Sequence, residues 1–275
     1  SVPGSVFSGA EPGALKVLYA YWEKHAYTVT LDKKGGTGGT SAVSAYSGEA
    51  MPSISVPSRT GYIFKGYYTA QNGQGIKCYN EDGSSAKNFD LGKNVTLYAF
   101  WTAKSSTVTF NPNGGSDPSF PTKTVSYDSA YGDLPTVTRV DLHTTGYTTR
   151  YTFNGWFTSS SGGNKILPET VVDKENNHTL YAQWTSTKTA NSYTVTFDLN
   201  GGSGSIAQIS VTYDSYYPAM EEPSRTGYTF KGWYTAKSGG YQINESVRVS
   251  TASSHTLYAR WSPITYTIFY NGNGS

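Results

Sequence analysis

LYAYW (18–22), LYAFW (97–101), LYAQW (180–184) and LYARW (257–261) are four versions of one ending. The Trp-to-Trp steps from Trp22 through Trp101 and Trp184 to Trp261 are 79, 83 and 77 residues. Four beginnings answer them: YTVTLDKKGG from Tyr27, TVTFNPNGGS from Thr107, YTVTFDLNGGSGS from Tyr193 and YTIFYNGNGS from Tyr266. Between beginning and ending lies a third signature: GYIFKGYYTA (61–70), YTFNGWFTSS (151–160) and GYTFKGWYTA (227–236). Three signatures recurring in one order define tandem copies of a small unit. Complete copies run over 27–101, 107–184 and 193–261. Residues 1–22 read as the end of a preceding copy and 266–275 as the start of a following one, so the chain is expected to be cut from a longer array.

The third copy shows what each unit builds. Tyr193–Phe197 alternates apolar and polar residues, the mark of a strand with one buried face. Asn200-Gly201 supplies a turn, because both residues accept positive φ cheaply. Strands are predicted over Ile209–Tyr213, Tyr228–Tyr234 and Thr256–Trp261, with a bulge at Gly232. Pro218 and Pro223 forbid a long helix and leave room for one helical turn at Ala219–Glu222. The predicted core is Val195, Phe197, Val211, Tyr213, Phe230, Tyr234, Leu257 and Trp261.

Composition agrees with a β-rich chain. Of 275 residues, 24 are Tyr and 30 are Gly, and only two are Met. Tyr, Thr, Val, Phe and Trp suit pleated surfaces, and Gly, Asn, Asp and Ser suit turns. With 15% charged residues and a net charge of +2, no basic patch of the kind that attracts nucleic acid is present. No apolar run reaches the roughly 20 residues of a spanning helix. A single cysteine, Cys78, cannot form a disulfide within the chain.

No catalytic constellation recurs. His178 and His255 hold the same position before TLYA, where the first copy has Val95, and no second metal ligand stands at a useful spacing; a structural role is expected for both. Cys78 has no neighbouring base to activate it. The Gly-Gly stretches lack the Lys-Ser/Thr and helix of a phosphate loop, and Asp198 and Asn200 lack the distal Glu of a calcium loop. Neither enzyme activity nor a cofactor is expected.

The combination YTVTFDLNGG, PSRTGYTFKGWYT and HTLYARW resembles the Listeria–Bacteroides repeat of internalin-type and other bacterial surface proteins. The resemblance runs from Leu18 to Ser275. It implies a mainly β fold: a tandem array of β-grasp-like (ubiquitin-like) modules, each a short mixed sheet with at most one helical turn. It also implies an extracellular, cell-surface or secreted setting and a role as stalk, spacer or adhesive segment, with neighbouring repeats as the first partners. Two departures stand out. Counting from Tyr46, Tyr127 and Tyr213 to Gly66, Gly155 and Gly232 gives 20, 28 and 19 residues, which places an insertion near Val140–Arg150. A second insertion lies near Ile76–Asn88. Insertions in repeat proteins map to loops, and loops carry binding. Cys78, Tyr79, Asp82, His143, Tyr147 and Arg150 are therefore the candidate contacts for a host protein or glycan. Self-association through the terminal strand Tyr266–Tyr270 is a further expectation. Thr102–Ser106 and Thr185–Ser192 read as short polar linkers with limited articulation.

Overall fold

The computed structural model describes residues 19–272 and Gly274. Every regular element among them is a strand. The first repeat contains β1 (Ala26–Asp32), β2 (Ala42–Tyr46), β3 (Tyr62–Tyr68), β4 (Lys77–Tyr79) and β5 (Val95–Ala103). The second contains β6 (Ser105–Asn111), β7 (Thr122–Ser126), β8 (Leu142–Thr144), β9 (Tyr147–Phe157), β10 (Lys165–Ile166) and β11 (His178–Ala190). The third contains β12 (Ser192–Asp198), β13 (Ile209–Thr212), β14 (Tyr228–Tyr234), β15 (Gln242–Ile243) and β16 (His255–Pro263). By packing, the chain forms two compact units. Among the described residues, one holds those up to Ser106 with Val125–Ser129 and Val171–Asn176; the other holds Thr107–Thr124, Ala130–Thr170 and those from Asn177 on.

Each repeat makes one mixed sheet, ordered β2-β1-β5-β3-β4 in the first and β13-β12-β16-β14-β15 in the third. The second follows the same path, β7-β6-β11-β9-β10, with β8 added beside β9. In all three the first and last strands pair in parallel at the centre: Leu31 opposite Leu97, Phe110 opposite Leu180 and Phe197 opposite Leu257. This pairing explains why beginning and ending are the most constant parts of the sequence. They are adjacent strands, and their inward residues (Val29, Leu97 and Ala99; Val108, Leu180 and Ala182; Val195, Leu257 and Ala259) form the middle of each core.

The closing Trp ties the ending to the beginning a second time. Trp101, Trp184 and Trp261 donate from Nε1 to the carbonyls of Lys33, Pro112 and Leu199, at 3.0, 3.1 and 3.0 Å. Each indole lies so close to the second glycine of the Gly-Gly turn that a Cβ there would sit 2.5–2.6 Å from the ring, at Gly36, Gly115 and Gly202. These glycines are required by close approach and not by their backbone angles.

Several expectations change. Ala219–Glu222 contains no helical turn: the segment is coil, with Trp233 Nε1 donating to the Glu221 carbonyl at 3.0 Å. In the third core Trp233 is buried and Tyr234 is not. A register shift between Phe230 and Gly232 breaks the two-residue alternation, so Phe230 and Trp233 face inward together at 5.5 Å. Tyr217, Ile243, Val249 and Ala259 complete this core, with Phe197, Phe230 and Trp261 partly buried against it. Tyr213 lies outside it. The expected linkers are strand: β5 and β6 are separated by Lys104 alone, and β11 and β12 by Asn191 alone. Around Val140–Arg150 the chain forms an antiparallel hairpin of β8 on β9, with Leu142 opposite Thr149. Tyr266–Tyr270 forms no strand, and Tyr270 is 91% exposed. Residues 1–18, with most of the expected preceding ending, lie outside the described residues, and Tyr19–Trp22 is unpaired coil.

The first repeat solves the core differently. Tyr67 and Tyr79 pack edge to face where the others pair Trp156 with Ile166 and Trp233 with Ile243. Tyr79 donates its hydroxyl to Pro52 O at 3.0 Å, while the buried Tyr67 hydroxyl finds no partner among the described residues. Burial, with the Asp32 charge added, pushes the Tyr67 phenol up to about 12. Removing a buried, unpaired hydroxyl relieves its desolvation, so Tyr67→Phe should leave the first repeat as stable or stabilise it by about 1 kcal/mol in urea unfolding. Gly202→Ala, by contrast, forces the Trp261 indole off its carbonyl and should destabilise the third repeat by about 1–3 kcal/mol. Equilibrium unfolding of the full chain followed by Trp fluorescence checks both; a neutral Gly202→Ala would contradict the close-approach account.

Candidate functional site

The arrangement that recurs with most detail outside the cores surrounds the single residues Lys104 and Asn191. In the unit that contains the first repeat, Lys104 N–H donates to Gly61 O at 2.8 Å and Lys104 O accepts from Tyr127 N–H at 2.9 Å. Around Asn191 the same two bonds run to Gly146 O at 2.8 Å and from Tyr213 N–H at 2.9 Å. The residue between two modules is thus held by both: by the turn that opens the third-signature strand of one, and by the turn that closes the second strand of the next.

Side chains repeat the clasp. Tyr127 lies on Gly61, where a Cβ would come 2.1 Å from its ring, and Tyr213 lies on Gly146, at 2.2 Å. Tyr62 meets Tyr127 edge to face at 5.8 Å, and Tyr147 meets Tyr213 at 5.4 Å. Tyr62 donates its hydroxyl to Asp128 at 2.8 Å, and Tyr147 to Asp214 at 3.2 Å. Asp128 and Asp214 stand at φ 63° and 64°, a conformation Asp tolerates better than most residues. Cations complete each joint. Arg59 stacks on Tyr62 at 3.8 Å, Lys188 covers Tyr147 at 4.0 Å, and Arg248 pairs with Asp214. Lys104 is bonded to Glu175, and that bond, with the Gly61 amide adding to it, holds the Glu175 carboxyl below its usual range.

Of the sequence-derived candidates, Tyr147 belongs to this joint, and the others lie apart from it. Cys78 and Tyr79 face the first core at 4% and 0% exposure, and burial raises the Cys78 thiol. Asp82 is exposed and accepts from Ser84 N–H and Oγ at 2.9 and 2.6 Å. His143 contacts Thr148 Oγ1 at 3.1 Å, and Arg150 pairs with Asp141 at 3.4 Å. The side chains of these residues left at the surface are Asp82, His143 and Arg150. Sequence reasoning passed over Gly61, Gly146, Asp128 and Asp214; Tyr-Asp recurs at 127–128 and 213–214, and Gly-Tyr recurs at 61–62, 146–147 and 227–228, although Gly146-Tyr147 stands four residues out of register with the other two.

The repeated histidines have a partner. Tyr131 and Tyr217 bond His178 and His255 Nε2 at 2.8 Å each. The first repeat replaces both members together, with Met51 and Val95. Among the described residues no group of three His, Cys, Asp or Glu side chains is placed to hold a metal ion, and no helix is long and apolar enough to cross a membrane.

The model of the Listeria-Bacteroides repeat domain matches the chain three times, over residues 27–100, 107–183 and 193–260. The chain belongs to this family. It is 31% identical over 99% of its length to a putative Gly-rich membrane protein of Evansella cellulosilytica, of which it spans 28%. It is 31% identical over 93% of its length to a putative membrane protein of the same bacterium, spanning 35% of it. Internalin H of Listeria monocytogenes is 37% identical over 46% of the chain, which spans 23% of that protein. The chain thus covers about a third or less of these relatives.

The joints titrate in a defined direction. Tyr62 is raised by its bond to Asp128 and then by burial; Tyr147 is raised by burial and then by the Asp214 charge. A phenol raised in the folded state keeps its proton where the unfolded chain has lost it. Its contribution is therefore complete below the ordinary tyrosine value of about 10 and fades as pH rises past it. Absorbance titration should show that Tyr62→Phe and Tyr147→Phe each remove one late-titrating tyrosine. Each should also flatten the loss of stability above pH about 10; an unchanged titration curve would contradict the assignment.

Proposed function

We propose that this chain is a structural spacer of a bacterial surface or membrane-associated protein, a row of modules that sets the distance between other parts of its parent. One observation carries this: the residue between successive modules is hydrogen-bonded to both, and the same clasp is built twice from the same residue types. Each module has its own core, and repeat arrays of this kind set their length by copy number. The names of the relatives, two membrane proteins and an internalin, support a cell-surface or extracellular setting. A central parallel pair flanked by antiparallel strands supports a β-grasp-like classification, here with no helix among the described residues. Neighbouring modules are the partners the joints fit. Nothing in this role calls for a catalytic group or a cofactor.

Residual dipolar couplings on the full chain test it within the unit that holds the second and third repeats. The proposal expects one alignment tensor to describe residues 130–170 and 193–261 together. Tyr213→Ala, which removes the ring on Gly146, should split it in two while each module keeps its own shifts. Separate tensors in the unaltered chain would replace the spacer by a flexible tether. A strong signal from the chain on a glycan and matrix-protein array would favour an adhesive module instead.

A further inference from the structure

The third repeat carries the same socket, and it is open. Gly227 and Tyr228 correspond to Gly61 and Tyr62 and to Gly146 and Tyr147. Arg225 stacks on Tyr228 at 3.9 Å as Arg59 does on Tyr62. Tyr228 pairs with Pro263 as Tyr62 pairs with Ala103 and Tyr147 with Ala190. The next residue, Ile264, donates from its amide to Gly227 O at 2.9 Å, which is the first half of the clasp made by Lys104 and Asn191. The receiving surface differs in cover alone. Gly61 and Gly146 are buried and Gly227 is exposed. A Cβ on Gly227 would meet nothing within 4 Å, where at the filled sockets it would strike a tyrosine ring.

We infer that the Gly227–Tyr228–Ile264 surface is a docking site for the Tyr-Asp turn of a further module of the same kind, continuing the chain through Tyr266. The inference rests on the joint-based role above and extends it to a partner. The two filled sockets define the occupant's chemistry: a tyrosine ring for the glycine, its backbone N–H for the carbonyl of Ile264, and a carboxylate for the Tyr228 hydroxyl. The sequence after Ile264 agrees, since Tyr266-Thr-Ile-Phe-Tyr-Asn-Gly-Asn-Gly repeats the module beginning. A second copy of this chain is the poorer fit. The turn of its first repeat that stands where Tyr127-Asp128 and Tyr213-Asp214 stand is Ser47-Gly48. Gly48 N–H bonds Phe89 O there, as Asp128 N–H bonds Val172 O and Asp214 N–H bonds Val249 O. That turn has neither the ring nor the carboxylate.

The test appends a copy of residues 192–263 after Ile264. Residual dipolar couplings should then place the appended module in the tensor of the third repeat. Gly227→Asn, a residue that accepts positive φ but fills the socket, should release it. In the 275-residue chain, where the socket is empty, the same substitution should shift the midpoint of thermal unfolding little. An appended module that tumbles independently, or coupling that survives Gly227→Asn, overturns the inference. So does concentration-dependent dimerisation of the 275-residue chain that Gly227→Asn abolishes, since a second copy would then be the occupant. A shared tensor for the second and third repeats together with an independent appended module would defeat this inference alone and leave the spacer role standing.

Discussion

Lys104 and Asn191 each spend both backbone hydrogen-bonding groups on different modules, and the behaviour of the array follows from that. A residue held only on one side is a hinge; Asn191, whose N–H and C=O are bound on opposite sides within one compact unit, cannot rotate without breaking one of them. Exposed backbone bonds contribute on the order of 1 kcal/mol each, and an edge-to-face ring pair about as much. Such a joint is weaker than the cores it connects, whose central leucines are fully buried.

Within the modules, differences come as compensated pairs. Tyr131 with His178 and Tyr217 with His255 become Met51 with Val95, a polar contact exchanged for an apolar one at both ends. Trp with Ile becomes Tyr67 with Tyr79, and the indole's bond to a loop carbonyl (Pro135 or Glu221) has no counterpart at Tyr67. A close-packed core feels any single change in volume or polarity, so neighbours change together. The unpaired Tyr67 hydroxyl is where this compensation is incomplete.

The strands and their inward residues were legible because alternation records burial directly: Val195, Val211 and Leu257 were placed correctly from pattern alone. What the pattern lacks is the partner. Tyr213 reads as core because it is large and alternates with Val211 at the end of the strand predicted over Ile209–Tyr213, yet its ring covers a glycine of the preceding module. Trp233 and Tyr234 exchange roles because the bulge at Gly232 resets the alternation after it. The linkers read as polar loops because Thr185–Ser192 is polar, but a two-stranded arm exposed on both faces is polar too. Tyr46, matched in sequence with Tyr127, proves to be the counterpart of Ser126, since Glu49 N–H bonds Tyr46 O as Ser129 N–H bonds Ser126 O.

The second repeat shows that the joint is specified by the end of the arm and not by the core. Counting from the paired aromatics (Phe64 with Trp101, Phe153 with Trp184, Phe230 with Trp261), Tyr62, Tyr151 and Tyr228 hold one position, and an arginine stacks on each. In the first repeat that same tyrosine also makes the joint. In the second the two tasks are divided: Tyr151 keeps Arg139, while Tyr147, four residues earlier at the start of β9, takes Asp214. Four added residues on each strand of the arm correspond to roughly 13 Å of strand. The insertion near Val140–Arg150 therefore carries the Gly-Tyr clasp outward intact, with β8 pairing along the newly created edge. Length between modules can change in this way without altering either the core behind the arm or the turn that receives it, because the clasp needs only the last residue pair of the hairpin and the one residue that follows.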